Sequence, residues 1–212
     1  MKRVAVVLAA LALGASGPMV AQIVTAGVHG AAVSHGERSE LLQYDGFGFG
    51  GFVGVALGPV RVEASGYTAS LDPDDETGLS ESVDVRQGDV RVSYAVAPAI
   101  ALQIGASRRQ MDPEFVLQDV GFIRVGIRSE NPLSRIARVW VRGAYLAAPK
   151  FNGGGSAGFS FEIGLGTWVG SPNGRFGVRA EYDFQKIGRE IGATDQAPIQ
   201  VMVARLGVQV GI

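Results

Sequence analysis

Apolar and polar side chains alternate at every second position between residues 46 and 71. Successive side chains of an extended chain point to opposite faces, so this period of two predicts β-strands. Gly58 and Pro59 interrupt the alternation with residues typical of tight turns. One face of the predicted hairpin carries Phe47, Phe49, Gly51, Val53, Val55, Leu57, Val60, Val62, Ala64, Gly66 and Thr68. The opposite face of its second strand carries Arg61, Glu63, Ser65 and Tyr67.

The same pattern recurs to the C-terminus and predicts ten antiparallel strands. They cover residues 22–36, 45–57, 60–71, 85–96, 99–109, 115–129, 135–147, 158–170, 175–186 and 199–212. Connections near 58, 98, 131 and 172 are tight, whereas those at 37–44, 72–84, 110–114, 148–157 and 187–198 are mostly longer and more polar. This asymmetry is typical of bacterial outer-membrane barrels. We expect an all-β, antiparallel, up-and-down transmembrane barrel; eight strands is the alternative if strand one or six is mis-assigned.

Alternation alone does not say which face points outward, and a soluble lipocalin-like binding barrel with its apolar face inside is an alternative. Three features favour apolar side chains outside. The apolar register carries no charge through the middle of its strands, as contact with lipid requires. Its aromatic residues cluster near strand ends, like the interfacial girdles of membrane barrels. The chain also has 16 Arg but three Lys, whereas soluble surfaces use Lys freely.

The N-terminus has the features of a secretory signal peptide. Lys2 and Arg3 precede an apolar run from Val4 to Ala15, and Gly17-Pro18 breaks the run. The run is too short to span a bilayer as a helix. We therefore assign residues 1–21 to a signal peptide, with cleavage after residue 17 or 21 left open, and residues 22–212 to the barrel.

The polar register predicts what fills the lumen. It contains Arg61, Glu63, Asp89, Arg91, Arg124, Arg128, Arg138, Arg142, Glu162, Arg179, Glu181, Asp183 and Arg205. The interior of a barrel this small is narrow, and buried charges must be paired. We expect Arg–carboxylate pairs that largely plug the lumen. The alternative is a narrow passive channel for small solutes, in which eight Arg against five carboxylates would favour anions.

Composition narrows the function further. The chain has no Cys, which excludes disulfides and thiolate metal sites. Its formal net charge is −1, and no basic excess indicates a nucleic-acid partner.

Few residues suggest catalytic or metal chemistry. Gly46, Gly48 and Gly51 formally match a dinucleotide-binding motif, but no helix is predicted to follow them, so we reject it. His29 and His35, the two histidines, would lie roughly 20 Å apart on one strand and cannot share an ion. An acidic stretch could bind Ca²⁺ but is more simply a solvated loop; it contains Asp72, Asp74, Asp75, Glu76, Glu81 and Asp84. No Asp-x-His pair of the kind used by some outer-membrane proteases occurs, so we expect neither an enzyme nor a cofactor or metal.

The predicted signal segment, the ladder of hairpins and the alternating C-terminus resemble the small bacterial outer-membrane β-barrel proteins, the group with the OmpA-type transmembrane domain and the opacity-type surface proteins. That terminus contains Leu206, Val208, Val210 and Ile212; relatives usually end in an aromatic residue. The resemblance implies a location in the outer membrane and a structural or surface-interaction role. Its implied partners are outer-membrane lipid, lipopolysaccharide and the outer-membrane assembly machinery. We expect a monomer.

Overall fold

Ten long antiparallel strands close into one barrel in the structure, a computed structural model that describes residues 22–37, 42–74, 81–113, 115–171, 175–191 and 195–211. The barrel strands are β1 (Gln22–Glu37), β2 (Leu42–Leu57), β3 (Val60–Pro73), β4 (Val83–Ala97), β5 (Ile100–Asp112), β6 (Val120–Pro132), β7 (Ala137–Phe151), β9 (Phe161–Gly170), β10 (Phe176–Ile187) and β13 (Ile199–Gly211). Their order around the barrel is β1-β13-β10-β9-β7-β6-β5-β4-β3-β2.

The barrel is closed by β1, which pairs with β13 from Thr25 opposite Gly211 to Glu37 opposite Ile199. All other barrel pairs join strands that follow one another among these ten, because the strands between β7 and β9 and between β10 and β13 are short and lie outside the barrel. The prediction of a ten-stranded up-and-down barrel is therefore confirmed, and the eight-stranded alternative is wrong. The predicted signal peptide lies outside the described residues.

Three short strands form a second small sheet beyond one end of the barrel. They are β8 (Ser156–Ala157), β11 (Arg189–Ile191) and β12 (Asp195–Gln196), with β11 in the centre. The sheet joins the connection after β7 to the one after β10. We call this end the long-connection end, and the opposite end, with turns at 58–59, 98–99 and 133–136, the short-turn end.

Several predicted strand boundaries are wrong, among them both ends of β6. Strand β6 begins at Val120, because a 3-10 turn, Val116–Gln118, occupies the start of the predicted sixth strand. Phe115, which precedes this turn, has a left-handed backbone that a strand cannot continue. The turn predicted at residues 130–132 is also strand, and the chain reverses at 133–136 instead.

The apolar register faces outward, as expected. Val125 is 52% exposed and Leu206 is 63% exposed, although both lie in the middle of long strands. Phe159 contacts Phe161 at 5.8 Å between ring centroids, and Phe161 contacts Phe184 at 5.9 Å, so aromatic rings form a strip near the long-connection end. Phe176 is an exposed aromatic residue near the short-turn end. The lipocalin-like alternative is wrong, because it needs this register inside.

The lumen has two layers of different character. Towards the short-turn end lies the charged layer, which we define as Arg91, Arg124, Arg142, Arg179 and Arg205 with Glu63, Asp89, Glu162, Glu181 and Asp183. Towards the long-connection end lies the apolar cluster: Ala31, Val33, Tyr44, Tyr67, Ala69, Leu71, Val83, Val85, Met111, Val120, Phe122, Leu146, Ile187, Ile199, Val201 and Val203. No helix in the described part of the chain is long and apolar enough to cross a membrane.

Candidate functional site

The centre of the charged layer is built around Arg124 on β6. Its Nη1 lies 2.9 Å from Asp89 Oδ1, and its Nη2 lies 2.8 Å from Glu162 Oε2. Arg91 approaches the other oxygen of Glu162 at 3.4 Å. Asp89 also accepts a hydrogen bond from the Ser107 hydroxyl. These bonds join β4, β5, β6 and β9 across the lumen, so they fill space that a pore would need.

Arg142 on β7 connects three carboxylates. Its guanidinium nitrogens lie 3.4 Å from Glu162, 3.3 Å from Glu181 and 2.5 Å from Asp183. Asp183 is shared with Arg205, whose Nη1 lies 2.5 Å away on β13. Gly164 faces this group, and a Cβ atom there would lie 2.6 Å from Arg142 Nε. Glycine on the inner face of β9 therefore makes room for the large guanidinium.

Arg179 extends the layer towards the short-turn end. It forms a two-pronged pair with Glu63, with both N–O distances at 3.0 Å, and a third bond to Glu181 at 2.8 Å. Its guanidinium also stacks over the Phe52 ring, 4.4 Å from the centroid. The planar fork of Arg suits this bidentate geometry. Arg61 lies at the outer edge and reaches Glu63 at 3.0 Å.

The short-turn mouth combines arginine and tryptophan. Arg128 lies 2.6 Å from Glu130 and 4.8 Å from the Trp140 ring centroid. Arg138 stacks over Trp168 at 4.9 Å and is the one predicted lumen residue with a half-exposed side chain, 50%. A cavity of about 390 Å³ opens beside these residues. Sequence reasoning missed Glu130 as a lumen carboxylate, since it assigned this position to a turn.

Arg109 was also missed, because it was placed at the end of its strand. It lies buried between the two layers, and its Nε and Nη2 donate to Gln87 Oε1 at 2.9 and 2.7 Å. Arg109 also donates to Gln185, whose amide donates to Glu162 at 2.8 Å. The Tyr67 hydroxyl donates to the same Gln87 oxygen at 3.3 Å. Neutral amides thus link the charged layer to the apolar cluster.

The apolar cluster was not expected, because the inner register was predicted to be polar throughout. In β4 the inward residues change from Val83 and Val85 to Gln87, Asp89 and Arg91 along one face. The outward residues of β4 change from polar to apolar along the same direction, so the alternation inverts within the strand. This inversion is visible in the sequence and could have predicted the apolar cluster.

A short segment, residues 115–119, packs against the apolar cluster at the long-connection mouth. Phe115 contacts the rings of Tyr44 and His35, at 5.2 and 5.9 Å between centroids. Gln118 is buried; its Oε1 lies 3.2 Å from His35 Nε2, and its amide donates to the Glu37 carboxylate. The Asp119 carboxylate accepts the backbone N–H of Met111 at 2.7 Å. The segment is therefore held in place by side-chain hydrogen bonds.

Backbone pairing closes the barrel, and its described inward side chains form the charged layer and the apolar cluster. It shares its fold with bacterial outer-membrane β-barrels. The solved outer-membrane protease OmpT of Escherichia coli is similar at a TM-score of 0.55, with 8% identity over 94% of this chain and 99% of that one. Neisserial surface protein A is similar at a TM-score of 0.42, with 10% identity and coverages of 88% and 96%. No family model matches the chain, and no curated protein matches it.

At 8% identity the likeness to OmpT concerns the fold alone, and on that level it confirms the resemblance to small outer-membrane barrels.

The residues that the sequence offered as candidates for catalysis or metal binding do not form a cluster in the structure. His29 and His35 both point inward, with Ala31 and Val33 between them. Gly46, Gly48 and Gly51 lie in the middle of β2. Among the described residues, no group of three or more His, Cys, Asp or Glu side chains could hold a metal ion.

The acidic stretch is partly strand. Asp72 lies in β3 and Asp84 in β4, because both strands extend further than predicted. Asp72 accepts a hydrogen bond from the Ser82 hydroxyl at 2.6 Å. Residues 75 and 76 lie outside the described part of the chain.

Proposed function

We propose that this chain is a non-enzymatic outer-membrane β-barrel with a closed lumen, which acts through the surface of its long connections. The observation that carries the proposal is the filled interior. Arg124 and Arg142 join carboxylates from three different strands, β4, β9 and β10, across the lumen, and the apolar cluster packs above them. A barrel blocked in this way supports a structural or surface-interaction role over the alternative of a narrow passive channel.

The location in a membrane is supported by the outer surface. Exposed apolar side chains encircle the barrel, and a continuous apolar surface of this kind would aggregate in water. A closed barrel is one of the two structures that satisfy all backbone hydrogen bonds within a bilayer. The fold similarity to an outer-membrane protein points to the same location.

Interaction through the long-connection end is supported by the contacts within its described parts. The segment 115–119 is fixed by Gln118 and Asp119, and the small sheet of β8, β11 and β12 joins two connections. A structured surface of this type can present a defined shape to a partner. We also propose outer-membrane lipid and lipopolysaccharide as surroundings, the outer-membrane assembly machinery as the route of insertion, and a monomeric barrel.

An enzymatic role has little support in the geometry. OmpT is a protease, but the two histidines of this chain are 8% and 2% exposed, and neither lies at an accessible surface with a carboxylate partner. His35 instead faces the amide of Gln118. A general base must be within reach of a substrate proton.

Cell fractionation tests the location. The expressed protein is expected in the outer-membrane fraction and to migrate faster on a gel when it is not boiled, because a closed barrel resists detergent. A soluble periplasmic protein with the same migration before and after boiling would contradict the proposal.

Conductance in a planar bilayer tests the closed lumen. We expect no current steps above the bare membrane when the folded protein inserts, since the charged layer and the apolar cluster each block the path. Protein from the vesicle stock used in this experiment should give the fast-migrating band when it is not boiled, which proves that it has folded. A steady ohmic current that grows with the amount of inserted protein would establish the channel alternative.

A further inference from the structure

The outward face of four neighbouring strands, β4 to β7, changes from apolar to charged between two adjacent rows. The last apolar row contains Val90, Ala106 and Ile123, which pair in sequence across β4, β5 and β6. The next outward row, two residues closer to the long-connection end on β4, β5 and β6, contains Gly88, Arg108 and Gly121, and a register shift between β6 and β7 places Lys150 opposite Gly121. The charged row therefore lies at the edge of the proposed lipid-facing band.

Arg108 and Lys150 lie on either side of Gly121 in this row. Arg108 pairs with Gly121 across β5 and β6, and Gly121 pairs with Lys150 across β6 and β7. Strands are roughly 4.8 Å apart, so the two Cα atoms are about 10 Å apart. Side chains of this length can converge on one small anion placed above the glycine.

Neither cation is neutralised within the part of the chain that the structure describes. Both side chains are exposed, and neither forms an ion pair there, whereas Arg124 and Arg142 inside the barrel each contact at least two carboxylates. Arg86 lies two residues beyond the row on β4 and adds a third outward cation nearby. The positive charge at this edge is thus available to an external partner.

A groove of about 520 Å³ lies at this position. Its lining includes Arg108, Gly121, Ile123 and Lys150. Asp119 also lines it, but its carboxylate oxygens accept bonds from the Met111 backbone at 2.7 Å and the Asn152 amide at 3.4 Å. A Cβ atom at Gly121 would make an ordinary contact with the Ser107 carbonyl at 3.7 Å, so a side chain fits at this position.

We infer that this groove binds the phosphate group of an outer-leaflet lipid, with Arg108 and Lys150 as its ligands and the acyl chains against Ile123 and its apolar neighbours. Charge-assisted hydrogen bonds to phosphate suit both side chains, and their long stems can lie along apolar surface. A lipid fits better than a free anion, because the cations adjoin the apolar band. The inference rests on the proposed membrane location.

A substitution at Gly121 tests this without disturbing the barrel. Gly121→Glu places a carboxylate between the two cations, whereas Gly121→Gln adds the same bulk without charge. Binding of dimyristoylphosphatidic acid to the folded barrel in neutral detergent is measured by native mass spectrometry. We expect Gly121→Glu to raise the dissociation constant about 10-fold or more, because a charge-assisted bond to the phosphate is lost. Gly121→Gln should change the dissociation constant much less.

A second pair of variants tests the cations directly. Arg108→Gln with Lys150→Gln should weaken binding at least as much as Gly121→Glu. Arg135→Gln with Lys186→Gln removes two charges elsewhere and should leave binding near the wild-type value. Each variant must keep the fast unboiled migration, which shows that it has folded.

Three results would overturn the inference. The first is that both double variants weaken lipid binding equally. The second is that dimyristoylglycerol, which lacks the phosphate, binds as tightly as dimyristoylphosphatidic acid. The third is that an equal concentration of inorganic phosphate displaces the lipid completely. The assay uses refolded protein, so its outcome is independent of where the cell places the chain. A soluble protein in the fractionation experiment would contradict the membrane location even if the groove bound the lipid.

Discussion

Replacing Arg142 with methionine is expected to lower the free energy of unfolding by about 3–5 kcal/mol, as removal of one partner from a buried ion pair does. The charged layer contains five arginines and five carboxylates, so it is balanced in charge. Without Arg142, the carboxylates Glu162, Glu181 and Asp183 each lose a contact and the layer carries an excess negative charge. Methionine has a similar length, so the change removes charge with little loss of volume.

The measurement is urea unfolding of the refolded barrel, followed by far-ultraviolet circular dichroism. Arg138→Met is the matched control, because Arg138 is half exposed and its nearest carboxylate, Glu130, is 3.8 Å away. Exposed pairs of this kind contribute about 0–1 kcal/mol. Equal losses of stability in the two variants would mean that water reaches the charged layer and that the lumen is not closed there.

Replacing Leu146 with alanine is expected to lower the free energy of unfolding by about 2–5 kcal/mol, the range for large-to-small changes in a packed core. Leu146 is fully buried on the inner face of β7, within the apolar cluster. The barrel wall is held by its backbone hydrogen bonds and cannot collapse to fill the space. The cavity left behind therefore adds to the lost burial of the side chain.

The same urea titration checks this value, with Leu133→Ala as the control. Leu133 is 67% exposed in the turn between β6 and β7, and exposed positions usually change stability by about 0.5 kcal/mol or less. A small effect at Leu146 would show that the long-connection half of the lumen is open to water. That result would also weaken the case for a non-conducting barrel.

In the proposed closed lumen, the two layers would block passage by different physical means. Charged side chains in the narrow interior are held by mutual ion pairs, whereas the apolar cluster excludes water by packing. Arg109 and Gln185 join the layers by hydrogen bonds, so a disturbance in one layer can reach the other. A current through the barrel would need both layers to open.

Much of this architecture follows from the sequence alone. The period-two alternation determined the number and order of barrel strands, because apolar and polar side chains alternate along each strand and turn residues interrupt the pattern between strands. The charge-free middle of the apolar register, its aromatic residues near strand ends and the scarcity of Lys predicted that this register points outward, and with it the lumen position of residues such as Arg124 and Glu162. Turn residues such as Gly58 and Pro59 marked where hairpins reverse.

Only the tertiary structure decided which charges meet. Arg179 and Glu63 are 116 positions apart, and their contact depends on how β3 and β10 face each other across the closed barrel. The placement of Arg109 and Glu130 inside required the true strand ends, which lie beyond those that the pattern predicted. Gln118 reaches His35 because residues 115–119 leave the strand and pack at the long-connection mouth. The apolar cluster arises from the same cause, since alternation defines two faces of a strand but cannot say how far along it each face meets lipid, lumen or loop.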